Sequence, residues 1–533
     1  MGALTSKSFP FILRSWNVKS YESFDPTDAF GQDTLVYINK NQVVKIEPQF
    51  SSQTLSSWLT DKGRLFFDSF FSTKRHQNLS LQTTGSDITE SWKMVFSSLN
   101  IIFYTFNVCN LKYANKVFFI IIFENVSIEI LNFLSLVSQL NSFIKIKRAE
   151  ACSFNSNLES NFQINSATSN AKLSSSSLCV LVGINPRYEG SYLNLKLRQR
   201  YLKGNFRVLA LGPILNLTFP ISFLGSNLNI FKSILEGNHS LCKDIISAEN
   251  PMFVTNTESL KLNSFQEVFN FFRVLKNLNV VSQIWSGLNV LSMSLYETGL
   301  HSFSRFSFLT NKDLYLFCAF YSLNVNLNNV PNVSTITKSR ILFYKNLKGF
   351  YKSPLFIDQN INVGSKFPML KNHFYLPGSA FFENSGTYVN AEGFKKFESK
   401  LILKKNSKSD WQILRKFVQF MLTNKHLGCL KDNKALFYSS NSFFNFKNFI
   451  SFHFQATQNL VNFNEYTSVN TQKFVLYQKV PNFKYVTSKF FKTQKQKYWL
   501  VDFFTGGKDN FCQSSLTLHR CSANYKLQVT NFF

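Results

Sequence analysis

Residues 177–213 read SLCVLVGINPRYEGSYLNLKLRQRYLKGNFRVLALGP, and this stretch decides the fold. It opens on a short, fully apolar run, the signature of a strand buried on both faces. Gly183 follows, where the backbone must turn tightly or approach something closely, and Asn185-Pro186 is a turn signal ahead of a helix. A second apolar run, RVLALG, closes the unit. A strand end opening onto a helix is where parallel α/β sheets bind ligands, although glycine and asparagine serve turn geometry at any strand end. No G-x-G-x-x-G is present, so a dinucleotide fingerprint is absent.

Outward from this stretch the same texture recurs. KVFFIIIF is a buried-strand run, and the segment after it places Ile128, Leu131, Phe133, Leu134 and Val137 at helical spacing. NIFKSILEG, PMFVTN and SFQEVFNFFRVLKN continue the alternation of amphipathic helix and apolar strand. DLYLFCAF, RILFYKN and HFYLPGS are strand-like, and DWQILRKFVQFMLTN reads as a helix. Short apolar strands between amphipathic helices predict an α/β fold with parallel, Rossmann-like sheets covered on both faces. Residues 1–75 predict a small β-rich domain of short strands and turns, in which DTLVYIN and QVVKIEP pair as a hairpin across Lys40 and Asn41. Residues 76–425 form the α/β body, and 426–533, rich in Phe and Asn without a clear period, a C-terminal extension. The Ser/Asn-rich passage 152–177 is long for a connection, a length typical of functional, partner-bound or mobile loops.

Composition narrows the function classes. With 44% hydrophobic and 16% aromatic residues, 61 of them Phe, the 533-residue chain is not a solvated coil. Lysine outnumbers arginine 45 to 13, the usage that A/T-rich codons impose in an organellar or similarly biased genome. The net charge of +28 raises nucleic acid as a partner, but the lysines are scattered and read as solvated positions, so none is expected. No apolar run reaches the roughly 18 to 20 residues of a membrane helix, and no direct span is expected. The eight cysteines form no Cys-x-x-Cys or zinc spacing, and no metal cluster is expected in this chain. The seven histidines form no H-E-x-x-H, and neither a Walker nor a G-x-S-x-G motif occurs, so catalytic residues are expected to be none.

Several segments, in order along the chain, carry a family resemblance: GALTSKSFPF, ESFDPTDAFGQDTLVYINKNQVVKIEPQ, DKGRLFFD, GINPRYEGSYLNLKLRQRYLKGNFRVLALGP, YLPGSAFFENSGTYVNAEGFKKF and LVDFFTGGKDNFCQSSLTLHRC. Together they resemble the large iron-sulfur subunits of respiratory complex I, the NADH:ubiquinone oxidoreductase, within the molybdopterin oxidoreductase superfamily. The opening MGALTSK also fits an N-myristoylation pattern. In the family, however, GALTS follows the last cysteine ligand of an N-terminal iron-sulfur domain. The resemblance thus implies the C-terminal part of a split, mitochondrially encoded subunit, with a separate iron-sulfur polypeptide completing it.

In catalytic members of the superfamily, segments like GINPRYEG and TYVNAEGF touch a pterin-guanine dinucleotide. The resemblance makes Gly183, Asn185, Pro186, Asn390 and Glu392 the candidates for a vestigial cofactor cleft. Position 394 departs from the catalytic pattern: Phe stands where a basic residue is common, and an aromatic ring would tend to fill the space. Cys152 lies near a position where some relatives place a metal-ligating thiolate, and alone it reads as an ordinary cysteine. The implied role is a non-catalytic scaffold in the matrix arm at the mitochondrial inner membrane. Cofactors would be none in this chain, with FMN and iron-sulfur clusters in partner subunits, including those that bind NADH. Two alternatives are a basic organellar RNA-associated protein and a cofactor-bearing molybdopterin oxidoreductase. Salt-dependent RNA affinity would mark the first, bound molybdenum or tungsten the second.

Overall fold

The structure is a computed structural model that describes residues 4–5, 9–49, 58–72, 75, 80–83, 86–89, 92, 117–123, 125–140, 144–149, 173, 175–212, 216–226, 229–257, 271, 287–302, 306–307, 309, 317–325, 355–360, 373–403, 408–417 and 514–530. After a short helix α1 (Phe9–Ile12), strands β1 (Lys19–Phe24), β2 (Asp33–Asn39) and β3 (Gln42–Pro48) form an antiparallel three-stranded sheet. Along β2, Thr34, Val36 and Ile38 point inward with the period of two expected of a half-buried strand. Lys40 and Asn41 both have positive φ, 44° and 67°, the two-residue connection whose twist matches its flanking strands. The hairpin expected there is present.

Residues 61–71, read in the sequence as strands and turns, are helical. α2 (Asp61–Leu65) is capped by Thr60, whose Oγ1 accepts from Gly63 N at 2.8 Å, and a 3-10 run (Phe66–Phe71) follows. Both pieces are too short for a helical period to register. Packing selects them: the Phe66 and Phe70 rings lie against Phe382, at 5.8 and 5.4 Å between centroids. Gly63 is required by proximity, since a Cβ there would lie 2.1 Å from Asp25 Oδ2.

The chain next builds part of a larger sheet with β4 (Ser80–Thr83), β5 (Ser86–Thr89), β6 (Val117–Phe123), helix α3 (Ile128–Leu140) and β7 (Ile144–Arg148). α3 buries Leu131, Phe133, Leu134 and Val137, the stripe read from the sequence, and adds Ile130, while Ile128 is only half-buried. A complete second sheet is then inserted: β8 (Leu178–Val182), α4 (Pro186–Glu189), α5 (Ser191–Leu202), β9 (Arg207–Leu211), β10 (Ser222–Gly225), α6 (Asn229–Leu235), α7 (Leu241–Ser247), β11 (Met252–Asn256), β12 (Leu288–Leu291) and α8 (Leu295–Ser302). Its order is β10-β9-β8-β11-β12, and every pairing is parallel.

Strands β13 (Phe317–Leu323), β14 (Leu355–Asn360) and β15 (His373–Pro377) return to the first sheet and complete it as β5-β4-β15-β14-β13-β6-β7. The run β15 to β7 is parallel, with β4 and β5 joined antiparallel at one edge. Both sheets are therefore doubly wound, with strand order reversing between β8 and β11 in the inserted sheet and between β6 and β13 in this framing sheet. Residues of β8 alternate between two apolar cores, Cys179 and Leu181 in one, Leu178, Val180 and Val182 in the other. The inserted sheet is thus covered on both faces, and each such fully buried aliphatic side chain contributes about 1.5–3 kcal/mol.

A hairpin, β16 (Gly386–Val389) and β17 (Lys395–Glu398), follows the framing sheet, and residues 410–417 are helical as expected. The last described helix, α9 (Leu516–Thr530), docks back on the amino-terminal region. Its first turn is capped by Asp68, which accepts from Thr517 N and Oγ1 at 3.0 and 2.8 Å, and Leu518 is fully buried. The segments RILFYKN and SFQEVFNFFRVLKN, apart from Phe271, lie outside the described residues, as do 152–172 of the Ser/Asn-rich passage. Among the described residues no helix is long and apolar enough to cross a membrane.

Candidate functional site

In an open α/β sheet the ligand crevice lies beyond the strand ends where the order reverses. In the inserted sheet that point is framed by residues 182–191 after β8 and 256–257 after β11. Gly183 takes a positive φ of 63° and donates its N–H to Leu211 O at 2.7 Å, so its freedom serves the strand-end turn. Asn185 is buried and caps α4, its Oδ1 accepting from Arg187 N at 3.2 Å, and Pro186 is at the start of that helix. Across the reversal point, Asn256 Nδ2 donates to Glu189 Oε2 at 2.6 Å, with both residues buried. Beside them, Thr257 Oγ1 and Met293 N donate to the buried Glu297 carboxylate at 3.0 and 2.9 Å.

The second candidate segment reaches this crevice through a loop of the amino-terminal sheet, residues 25–32. Phe30 meets the Tyr192 ring of α5 at 5.1 Å, and a Cβ on Gly190 would lie 3.6 Å from Phe30 Cε2 and 2.7 Å from Leu291 Cδ2. On the other side of the loop, Ala29 O accepts from Ala391 N at 2.8 Å and Phe30 O from Asn390 Nδ2 at 3.3 Å. Asn390 Oδ1 accepts from Glu392 N and Phe394 N at 3.1 and 2.7 Å, which closes the hairpin turn. The segment of Gly183, Asn185 and Pro186 and the segment of Asn390 and Glu392 are thus linked through Ala29 and Phe30, which share an apolar core with Ile184, Tyr192 and Ala391.

The framing sheet's reversal point is covered by the same hairpin. Gly386 sits where a Cβ would come 2.7 Å from Ser127 Cβ, just beyond β6. Thr387 donates its N–H to Glu129 Oε1 at 2.9 Å, and its hydroxyl binds the same carboxylate. At the end of β13, Asn324 Nδ2 donates to Asp410 Oδ2 at 2.8 Å, and Ser379 Oγ to Asp410 Oδ1 at 2.8 Å.

Charge buried in this region is held at a cost. Burial pushes the Asp28 carboxyl up to about 7, helped by neighbouring Asp25 and opposed by the Phe30 N–H and by Lys62. Burial likewise pushes Glu398 up to about 8, against the Ser23 hydroxyl, which donates to its Oε2 at 2.8 Å. Asp28 Oδ2 and Glu398 Oε1 meet no donor among the described residues, the arrangement that favours a proton on each. Glu392 is half-buried and also raised by burial, with Lys196 and Lys396 opposing the shift. Lys396 forms an ion pair with Asp33, and Arg75 a buried one with Glu383. Tyr388, raised well above its usual range by burial and by Glu129, Glu398 and Asp410, packs on Tyr296 of α8 at 5.1 Å.

Several polar groups of these two segments are already bonded within the chain. Asn390 turns its amide to its own hairpin and to Phe30 O, Glu189 is bound to Asn256, and the amino end of α5 is covered by Leu291 and Phe30. Phe394 does not fill the crevice; its side chain is 50% exposed, because the turn that Asn390 closes carries it outward. Cys152 lies outside the described residues. Among the described residues, no group of three or more His, Cys, Asp or Glu could hold a metal ion, and Cys179 is a buried thiol pushed up to about 12. The sequence reading missed Phe30, Glu189 and Asn256. Asp28 and Gly31 around Phe30 carry a turn signal, but Glu189 and Asn256 meet only through the sheet order.

The sequence was also compared with known proteins. The chain is similar to the NADH-ubiquinone oxidoreductase 75 kDa subunit of Reclinomonas americana, 25% identical over 99% of this chain and 71% of that one. It is 24% identical to the mitochondrial 78 kDa subunit of Neurospora crassa over 79% of this chain, and 26% identical to the 75 kDa subunit of Acanthamoeba castellanii over 78%. The chain spans 54% and 58% of those two relatives' lengths. Among solved structures, acetylene hydratase from Pelobacter acetylenicus aligns over 76% of this chain and 70% of its own, at 10% identity and a TM-score of 0.44. The model of the molybdopterin oxidoreductase family matches residues 91–420, more than half of the sequence and both doubly wound sheets from β6 onward, and the chain belongs to that family.

Proposed function

We propose that this chain is a structural subunit of the peripheral, matrix-side arm of mitochondrial complex I and supports electron transfer from NADH to ubiquinone without a catalytic site of its own. One observation carries the reading: similarity to a named complex I subunit runs over 99% of the chain, beyond the α/β body that the family model covers. Two findings support the non-catalytic part. The crevice side chains bond to one another, and the amino-terminal loop lies across it.

In this proposal flavin and iron-sulfur clusters belong to partner subunits, and a separate cysteine-rich polypeptide completes the large iron-sulfur subunit. The chain itself contributes rigid geometry: clusters exchange electrons only if partners hold them at fixed separation, and extensive apolar contact suits a permanent interface. The gene would reside in the mitochondrion.

Affinity isolation of the chain from solubilised mitochondrial membranes, with mass spectrometry of what accompanies it, tests this. Recovery of NADH-dehydrogenase subunits together with a small cysteine-rich polypeptide is expected. Recovery of those subunits without such a polypeptide removes the split-subunit part. Recovery of ribosomal or RNA-processing proteins instead removes the whole.

A further inference from the structure

Both strand-reversal points of this molecule are covered by the chain itself, and by connected pieces. We propose that loop 25–32 and the β16–β17 hairpin form an internal clasp that occupies both crevices and fixes the inserted sheet on the framing sheet. This inference concerns the chain alone and does not rest on the assembly proposed above.

The loop behaves as a ligand of the inserted sheet. Ala29 and Phe30, 0% and 3% exposed, belong to the same apolar core as Cys179, Leu181 and Leu291 of that sheet. Its carbonyl oxygens accept from the inserted sheet's last helix on one side and from the hairpin turn on the other. Pro26 O accepts from Leu295 N at the start of α8 at 3.3 Å, Ala29 O from Ala391 N, and Phe30 O from Asn390 Nδ2. The loop is also braced before it binds. Asp25 Oδ1 accepts from Thr27 N and Oγ1 at 2.8 and 2.6 Å, and Asp28 Oδ1 from Phe30 N at 3.2 Å, so little conformational freedom is left to lose. Gly31, at a φ of 54°, lets the backbone approach Leu295 to a distance that a Cβ would reduce to 2.9 Å.

The hairpin carries the contact to the other sheet. One end is bonded to the loop through Asn390 and Ala391, and the other reaches Ser127 and Glu129, where β6 hands over to α3. Along β17, Lys396 is bonded to Asp33 of β2, and Glu398, opposite Gly386 at the far end, to Ser23 of β1. A short antiparallel pair is marginal alone, so this hairpin is held by what it joins. Loosening one end is expected to loosen the other.

Hydrogen exchange with mass spectrometry on the full chain tests that coupling. Phe30→Ala should raise exchange at least tenfold at 183–195 and, at the far end, at 126–131. Gly386→Val, pressed against Ser127, should raise it at 126–131 and also at 25–32 and 183–195. Strand β9 (207–211) should stay within twofold in both. A rise confined to the substituted end in both variants overturns the proposal. Should either variant fail to fold, Asn390→Asp keeps the acceptor for the Glu392 and Phe394 N–H groups while removing the donor to Phe30 O. Unchanged exchange at 25–32 in that variant also overturns it. So does a wild-type chain in which guanosine diphosphate, used as a probe, slows exchange at 183–195, because an occupied crevice has no room for it.

Discussion

In strands β8 and β11 every residue is buried and none is charged, whereas the neighbouring clasp and the segment behind it bury Asp28, Glu398, Arg75 and Glu383. The inserted sheet is stabilised by apolar area removed from water, which is non-directional and indifferent to protons. Besides the apolar contacts of Ala29 and Phe30, the clasp and the segment behind it are held by hydrogen bonds and ions whose partners come from distant parts of the sequence, as with Ser23 to Glu398 in the hairpin and Arg75 to Glu383 just before it. Apolar burial builds the bodies, and polar contacts fix how the bodies sit. The two regions should therefore fail under different conditions.

The largest effect is expected where a buried ion is stranded. Glu383→Ala leaves the Arg75 guanidinium 4% exposed without its carboxylate, and should cost about 3–5 kcal/mol in urea denaturation. Replacing both, Arg75→Met with Glu383→Leu, should recover most of that loss. Leu181→Ala, a truncation at 0% exposure in the inserted sheet, should cost about 2–5 kcal/mol, and by the same amount at every pH.

Proton linkage separates the regions next. Asp28 titrates at about 7 in the folded chain against an ordinary 3.8, and Glu398 at about 8 against 4.5. Between each pair of values the unfolded chain is ionised and the folded chain still holds the proton. Stability is therefore complete below the lower value and is lost as pH rises through 7 and 8, with a slope of up to about 1.4 kcal/mol per pH unit for each group. Asp28→Asn and Glu398→Gln should each flatten their part of that decline in denaturation midpoints collected as a pH series. A decline that persists unchanged in both variants would assign it elsewhere. The smallest effect is local: Thr60→Ala, which removes the α2 cap, should cost about 1 kcal/mol without altering the pH dependence.

The same contrast explains what the sequence disclosed. LCVLV and PMFVTN are recognisable as strands because burial on both faces demands an uninterrupted apolar run, and α3 because its buried stripe repeats at helical spacing. The β2–β3 hairpin was legible from two β-branched runs separated by two residues. The framing sheet's order was not, because β6 pairs with β13 almost two hundred residues later and no local pattern encodes that register. The hairpin β16–β17 entered only through family resemblance, although Asn390 and Gly393 between its short strands are a turn signal. The candidates Asn185 and Asn390 came from the family resemblance, but their roles as cap and turn-closer depend on backbone geometry. Phe30 belongs to the loop between β1 and β2, and the apolar core that receives it exists only after folding.

The most direct test of the account is native electrophoresis of solubilised mitochondrial membranes, with the chain located by antibody and NADH oxidation stained in the same gel. A structural subunit of complex I should co-migrate with the NADH-oxidising band, and its loss should dissolve that band into smaller assemblies. A chain that runs apart from the activity, and whose loss leaves the band intact, would contradict the account.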